Sequence, residues 1–160
     1  METLHLSATD KKELYEEVLP QIFSLIDEEK DRVAALANTS AALKEAFPSY
    51  SWVGFYLLKD GELVVGPFQG KIACTRIALT RGVCGAAATK KQTIIVEDVD
   101  AFPGHIACDG GSKSEIVVPM ISDGALVGVL DVDSYRPANF DETDRMYLEQ
   151  LAAHLASAHF

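Results

Sequence analysis

The sequence has few cysteines, no long apolar run and little positive charge, and each shortage excludes a class of protein. Three cysteines in 160 residues, an odd number without dense spacing, do not make the disulfide framework of a small secreted domain. No apolar run approaches the roughly 20 residues that span a membrane. The first residues lack the basic and apolar stretches of a secretory signal. We therefore expect a cytoplasmic protein, in a compartment where a transient catalytic disulfide is more plausible than a structural one.

Acidic residues dominate the charge. Asp and Glu number 24 against 14 Lys and Arg, which gives a formal net charge of −10. Nucleic acids and anionic membranes are therefore poor partners. The 48% of hydrophobic residues and the length suit one globular domain, predicted over residues 1–160, that buries a core without staples.

Helical periodicity marks both ends of the chain. Apolar residues recur at helical spacing over residues 10–30, with Asp10 as the N-cap. Pro20 interrupts this pattern and is predicted to kink or break the helix near Leu19. A second helix is predicted over residues 32–47.

From residue 50 the periodicity changes to that of strands. Aromatic and β-branched residues favour strands, and Asp60 followed by Gly61 favours a hairpin turn. The pattern predicts an α+β fold, in which a central antiparallel sheet of about six strands carries the N- and C-terminal helices on one face. The predicted strands are residues 52–58, 63–68, 74–79, 93–96, 116–121 and 125–132, with a short helix at 82–88, an irregular segment at 97–114 and a last helix at 141–158 capped by Asp141.

The polar stretch of residues 105–115 carries more chemistry than a connection needs. It holds His105, Cys108, two carboxylates and a flexible pair of glycines, and it leads into an apolar strand. We therefore expect the rest of the protein to position this loop.

The register of the last hairpin decides where its carboxylates lie. A two-residue turn at residues 123–124 puts Glu115 and Asp131 on opposite faces, whereas a three-residue loop at 122–124 places them directly opposite each other. The three-residue loop is the favoured arrangement, and a bulge at Pro119 would shift it.

Asp131 and Asp133 share one face in either register, because they are two residues apart on a strand. Together with Glu115 they form a predicted carboxylate cluster, in which like charges raise at least one pKa. Such a cluster holds an ammonium group and donates a proton to an oxygen. The alternative is that the two aspartates are solvated strand ends.

Six short motifs carry a resemblance and contain all three cysteines. They resemble motifs of the free methionine-(R)-sulfoxide reductases, which are small stand-alone GAF domains, and the similarity covers roughly residues 10–158. The motifs are GPFQGK at 66–71, ACTRI at 73–77, GVCGAAA at 82–88, FPGHIACD at 102–109, SEIVVP at 114–119 and GVLDVDS at 128–134.

The resemblance implies thiol-based reduction of free methionine-(R)-sulfoxide without a cofactor. A thiolate takes the sulfoxide oxygen and becomes a sulfenic acid, a second cysteine converts that acid to a disulfide, and thioredoxin or a similar dithiol reduces it. A homodimer through the N-terminal helices is a further expectation from the resemblance; ordinary packing of these helices against the sheet is the favoured alternative.

By matched position, Cys108 is the predicted nucleophile. Cys74 is the first choice for the resolving thiol and Cys84 the second, and the sequence leaves this choice open. For Cys84, which lies among alanines, a purely structural role as a small buried hydrophobe is the alternative.

The remaining roles fall to the carboxylates and to two aromatic residues. Glu115, Asp131 and Asp133 are predicted to bind and protonate polar groups of the substrate. Trp52 and Tyr56 lie four residues apart on one strand face and are predicted to enclose its methyl-sulfur end, although such residues commonly belong to a core.

Two other functions remain open from the sequence. One is a non-catalytic GAF sensory module that binds a small ligand, although such modules normally adjoin an output domain, for which we expect no room in 160 residues. The other is a zinc site formed by Cys74, Cys84, Cys108 and His105, which the irregular spacing and the lack of a C-x-x-C pair disfavour.

Overall fold

The computed structural model describes residues 3–105 and 108–160, which form a six-stranded antiparallel sheet with helices on both faces. The strand order is β3-β2-β1-β6-β5-β4, so β1 and β6 are central. This agrees with the α+β class predicted from the sequence. The elements are α1 (Lys11–Ile26), α2 (Arg32–Ala46), β1 (Tyr50–Lys59), β2 (Glu62–Gln69), β3 (Arg76–Ala78), α3 (Gly82–Lys90), β4 (Ile94–Val96), β5 (Ser114–Ser122), β6 (Ala125–Ser134) and α4 (Glu142–His159).

Helix α1 continues through its proline, so the predicted break near Leu19 is wrong. Asp10 caps the helix by accepting hydrogen bonds from two backbone N–H groups. Pro20 lies on the exposed side and removes only one backbone donor. Buried side chains on both sides of it, including Val18 and Ile22, keep the helix on the sheet.

Helix α4 begins where the sequence predicts, and Asp141 caps it. The Asp141 carboxylate accepts from the Thr143 N–H at 2.7 Å, while the Asp144 carboxylate accepts from the Asp141 N–H at 2.8 Å. This reciprocal arrangement is a capping box.

The sheet separates two hydrophobic cores. Buried residues of α1, α2 and α4 share one core with Phe55, Leu130 and other residues on one sheet face. Buried residues of α3 share the second core with Trp52 and Tyr56. The N- and C-terminal helices therefore cover one face, as predicted, and α3 packs on the other.

Several strand boundaries differ from the prediction in ways that concern the cysteine and carboxylate positions. The third strand covers only Arg76–Ala78, so Cys74 lies in the connection that precedes it. Strand β5 begins at Ser114 and β6 extends to Ser134, so Glu115 and Asp133 both belong to strands. Within the residues described, no helix is long and apolar enough to cross a membrane.

Candidate active site

The β5–β6 hairpin has a register different from the favoured prediction. Asp123 and Gly124 form a two-residue turn with φ values of +48° and +78°, and the pairing then shifts between Met120 and Ile121. The turn and this bulge together place Glu115 opposite Asp133. The predicted pairing of Glu115 with Asp131 is therefore wrong.

The bulge nevertheless brings the three carboxylates onto one face, as predicted from the sequence. Glu115 pairs with Asp133, and Asp133 pairs on its other side with Trp52 of β1. Asp131 lies in the neighbouring row, opposite Gly54. Since paired residues of adjacent strands project to the same side, Trp52, the carboxylates and Tyr56 form one wall.

A cavity lies over this wall. The first turn of α3 forms another side of it, and the segment that carries Ile72 and Ala73 borders it. Cys108, Asp109 and Ser112, which precede β5, also line it. The lining includes Trp52, Tyr56, Cys84, His105, Cys108, Asp109, Ser112, Glu115, Asp131 and Asp133.

Burial determines the protonation of the carboxylates. Glu115 and Asp131 are each only 6% exposed, and loss of solvation raises the pKa of both well above the usual range. Burial also raises the pKa of Asp133 to about 7, while the Ser112 hydroxyl opposes the shift. The cluster therefore retains protons near neutral pH that isolated carboxylates would lose.

Asp131 has an unused acceptor inside the cavity. Its Oδ1 atom is buried and has no hydrogen-bond partner among the residues described. A buried acceptor without a partner costs free energy. A bound ligand that donates a hydrogen bond, such as an ammonium group, would remove this cost.

Two of the three cysteines form a disulfide beside the carboxylates. Cys74 and Cys108 are joined, with their Cα atoms 5.5 Å apart. Cys108 lies in the cavity lining, and Cys74 lies in the connection between β2 and β3. The disulfide shows that the Cys108 loop reaches the segment that carries Cys74.

Cys84 lies in the first turn of α3 and is free and buried. A helix N-terminus normally favours a thiolate. Here burial, followed by the nearby Asp131 and Glu115, raises the pKa of Cys84 well above its usual value. The thiol form is therefore strongly favoured, and Cys84 is a poor nucleophile in this environment.

The two aromatic residues of β1 line the cavity and also support the Cys74 segment. The rings of Trp52 and Tyr56 are stacked with their centroids 5.9 Å apart. The Trp52 indole N–H donates to the Lys71 carbonyl at 3.2 Å, and the Tyr56 hydroxyl donates to the Cys74 carbonyl at 3.0 Å. Their apolar faces are thus fixed by hydrogen bonds made at their polar atoms.

His105 lies close to the acid cluster but is not its cationic partner. Its Nε2 is 3.8 Å from Oε2 of Glu115, beyond hydrogen-bond distance. Burial lowers the pKa of His105, which favours the neutral imidazole at pH 7.

Three side chains of the cavity wall could together bind a cation. Cys84, Glu115 and Asp131 each bring a donor atom within 4.8 Å of the other two. A metal ion or an ammonium group would find acceptors there. The disulfide removes Cys74 and Cys108 from the zinc site that the sequence already disfavours, because bonded sulfurs are not thiolate ligands.

Four residues in or beside the cavity have no role predicted from the sequence: Ser112, Lys71, Asp109 and Tyr135. Ser112 is buried beside Asp133, and the other three contact one another next to the disulfide. Tyr135 follows the last residue of β6, so the alternation of strand faces does not extend to it. Lys71 and Asp109 come from separate loops, where no periodicity applies.

Known proteins match this chain over nearly its whole length, including the residues that line the cavity. A family model described as GAF domain matches residues 23–158, a range that contains every residue of the cavity lining. Free methionine-R-sulfoxide reductase of Escherichia coli is 48% identical over 146 residues, which are 91% of this chain and 88% of that protein. The yeast protein of the same name, from Saccharomyces cerevisiae, is 46% identical over 154 residues, 91% of this chain and 86% of that protein.

Solved structures give the same similarity in three dimensions. The free methionine-R-sulfoxide reductase of Neisseria meningitidis, solved in complex with its substrate, matches with a TM-score of 0.95 and 59% identity. The match covers 98% of this chain and 94% of that one.

Proposed function

Because the chain belongs to the GAF domain family and, within it, to the free methionine-R-sulfoxide reductases, we propose that this oxidoreductase reduces free methionine-R-sulfoxide to methionine. The observation that carries the proposal is the position of Cys108 in the lining of a cavity with three carboxyl groups, of which Glu115 and Asp131 are buried. A redox-active thiol and proton donors are the two requirements of sulfoxide reduction.

The first step transfers oxygen from the substrate to Cys108. The thiolate attacks the sulfoxide sulfur while protonated Glu115 or Asp133 donates a proton to the oxygen. The resulting hydroxyl group moves to the Cys108 sulfur as the new S–S bond breaks, which releases methionine and leaves Cys108 as a sulfenic acid. Burial supports this role because it keeps the acids protonated near neutral pH. Protonated acids also repel a neighbouring thiolate less than carboxylates would.

The substrate's own charge completes the site. An ammonium group donates to Asp131, whose buried Oδ1 lacks a partner in the described structure. Trp52 and Tyr56 offer apolar ring surface for the methyl-sulfur end. We expect the bound ammonium to favour the Cys108 thiolate as well, since opposite charge lowers a thiol pKa.

The second step regenerates the protein through Cys74. Its thiol attacks the sulfenic sulfur of Cys108, forming the disulfide and releasing water, and an external dithiol such as thioredoxin then reduces that bond. The Cys74–Cys108 bond and the raised pKa of Cys84 support Cys74 over Cys84 as the resolving thiol. Such a cycle suits a reducing compartment, which supports a cytoplasmic location.

The test measures thioredoxin-coupled turnover of the separate R and S epimers of free methionine sulfoxide, and it compares wild type with Cys108→Ser. We expect turnover of the R epimer alone and a loss of at least about a thousandfold in the variant, since the reaction has no other nucleophile. Equal rates in the two proteins would remove Cys108 from the mechanism. Binding without turnover in wild type would favour the non-catalytic sensory module.

The proposed homodimer is tested separately, by size-exclusion chromatography with light scattering at several protein concentrations. Val33 on α2 is 61% exposed, which leaves an apolar side chain on the N-terminal helices available to a second copy. A mass of one chain at every concentration would reject the dimer without affecting the proposed chemistry.

A further inference from the structure

Three side chains from separate segments meet beside the disulfide, outside the acid cluster. Asp109 follows Cys108 directly, Lys71 precedes Cys74 by three residues, and Tyr135 follows the end of β6. We call Lys71, Asp109 and Tyr135 the Asp109 clamp. None of them has a role in the chemistry proposed above.

The clamp is built around the Asp109 carboxylate. The Tyr135 hydroxyl donates to Oδ2 at 2.6 Å, the Lys71 ammonium lies 3.3 Å from the same oxygen, and the Gly111 N–H donates to Oδ1 at 3.0 Å. These hydrogen bonds, that from Tyr135 foremost, lower the pKa of Asp109 below its usual value. Asp109 is therefore ionised at neutral pH, and its contacts are charge-assisted.

The Tyr135 ring also packs directly on the loop. A Cβ atom added to Gly111 would lie 2.9 Å from Cε1 of Tyr135, closer than a carbon–carbon contact allows. The Lys71 ammonium lies 5.1 Å from the centroid of the same ring. A residue anchored at the end of a central strand thus contacts both segments that carry the disulfide cysteines.

We propose that the Asp109 clamp positions Cys108 for disulfide formation with Cys74 after methionine has departed. This inference rests on the proposed function. The step joins the Cys74 sulfur to the Cys108 sulfenic sulfur, breaks the S–O bond, and releases the oxygen with the thiol proton as water. The three clamp residues touch no reacting atom and act as positioning residues.

The physical reason lies in the loop's composition. Gly110 and Gly111 give the segment after Cys108 more conformational freedom than other residues would, and ordering it costs entropy. A disulfide requires Cα atoms within about 4.4–6.8 Å, so a freely moving loop would seldom place the two sulfurs together. The clamp holds Asp109 against Lys71, which precedes Cys74 by three residues. It thereby raises the fraction of time in which the Cys74 and Cys108 sulfurs lie within bonding distance.

The experiment separates the two chemical steps in a rapid-quench single turnover with methionine-R-sulfoxide. Methionine release reports oxygen transfer, and loss of two thiols reports disulfide formation. We expect Tyr135→Phe and Asp109→Asn to slow disulfide formation roughly five- to twentyfold, the effect of losing a charge-assisted hydrogen bond. In Tyr135→Phe, whose altered side chain lies outside the cavity lining, methionine release should stay within about twofold of wild type and dimedone should trap more sulfenic acid, because only the second step depends on the clamp.

Lys113→Met is the matched control. Lys113 makes an exposed ion pair with Asp100, also at 3.3 Å, in the same region but outside the clamp. Removing that pair deletes a surface charge without touching Asp109, so both steps should proceed at the wild-type rate.

The inference is overturned if both clamp variants form the disulfide at the wild-type rate. It is also overturned if Tyr135→Phe loses methionine release in parallel with disulfide formation, because a general disturbance of the cavity would explain that result. Should Asp109→Asn fail to fold, Tyr135→Phe, which retains the ring on Gly111, carries the test. If wild type releases no methionine, the proposed function fails, while hydrogen peroxide still oxidises Cys108 to the sulfenic acid and lets disulfide formation be timed.

Discussion

At the scale of single residues, burial is the main determinant of the site's chemistry. Glu115, Asp131 and Cys84 face one another in the cavity wall, and loss of solvation is the largest cause of the raised pKa of each. Raised pKa values have opposite consequences for the two kinds of group. The carboxyl groups become proton donors at neutral pH, whereas the Cys84 thiol becomes unreactive.

The acid cluster should make stability depend on pH. The pKa of Asp133 is about 7 in the folded protein against an ordinary value of 3.8, so folding takes up a proton between these values. The part of the stability that Asp133 contributes should therefore fall as pH rises from about 4 to 7 and level off above 7, with a slope of up to about 1.4 kcal/mol per pH unit. In Asp133→Asn we expect that part of the slope to disappear, measured by urea unfolding at pH 5, 6, 7 and 8.

Asp123→Asn is the control for that measurement, because it makes the same change at the exposed turn of the same hairpin. Its stability should follow the wild-type pH dependence. A slope in Asp133→Asn equal to that of wild type would show that Asp133 ionises in the folded state as it does in water.

Cys84 should be dispensable for the disulfide. In Cys84→Ala we expect one turnover of methionine-R-sulfoxide to consume two thiols per chain, as in wild type, because the Cys74–Cys108 pair remains. In Cys74→Ala the sulfenic acid should persist instead. Thiol titration of the denatured protein, with mass spectrometry of the peptides, measures both. A Cys84→Ala protein that forms no disulfide would make Cys84 the resolving thiol.

At the scale of elements, the sequence predicts the type and order of helices and strands but not the details that local patterns leave open. The β5–β6 hairpin illustrates the reason. The sequence allows a two-residue turn at Asp123 and Gly124 but favours a three-residue loop, and the bulge that restores a common face for the carboxylates depends on cross-strand packing. Gly128 borders the bulge, and a Cβ there would lie 2.5 Å from the Tyr56 carbonyl oxygen, a contact that no pattern within β6 reveals.

Helix α1 is the second such element, and it yields a prediction about stability. Tertiary burial of Val18, Leu19 and Ile22 holds the helix together across Pro20 in spite of the missing backbone donor. Pro20→Ala restores that donor on the exposed side. We expect the free energy of unfolding to rise by roughly 1–3 kcal/mol, measured by urea denaturation.

Ser24→Ala tests whether helix propensity alone explains such a gain. Ser24 lies exposed on the same helix, one turn after Pro20, and its replacement should contribute only about half a kcal/mol. If Pro20→Ala stabilises the protein no more than Ser24→Ala does, the proline costs the folded helix nothing.

At the scale of the whole molecule, one face of the sheet carries the larger apolar core and the other face carries the cavity. The helices α1, α2 and α4 cover one face with a large apolar core, and the cavity occupies the other face with α3. The cavity's strand residues follow from alternation in the sequence. The Asp109 clamp does not, because Lys71, Asp109 and Tyr135 meet only after the sheet and two loops have formed.

A polar network connects elements on the sheet face that α1, α2 and α4 cover. The Tyr15 hydroxyl donates to Oδ1 of Asp144 at 2.9 Å and lies 2.5 Å from the Tyr50 hydroxyl, while the Lys11 ammonium lies 2.5 Å from Oδ2 of Asp144. The network thus connects α1, β1 and the first turn of α4. Its members lie on the sheet face opposite Trp52 and the carboxylates.

Because this network and the cavity lie on opposite faces of the sheet, we expect Tyr15→Phe to affect stability without affecting catalysis. Removing the hydroxyl leaves a buried Asp144 oxygen without one of its donors, which should lower the free energy of unfolding by roughly 1–3 kcal/mol. At 25 °C most of the protein remains folded, so kcat/KM for methionine-R-sulfoxide should stay within about twofold of wild type. Tyr56→Phe, the same change on the cavity face, should instead reduce turnover, because it releases the Cys74 carbonyl. A loss of kcat/KM in Tyr15→Phe comparable to that in Tyr56→Phe would mean that the sheet transmits changes between its two faces.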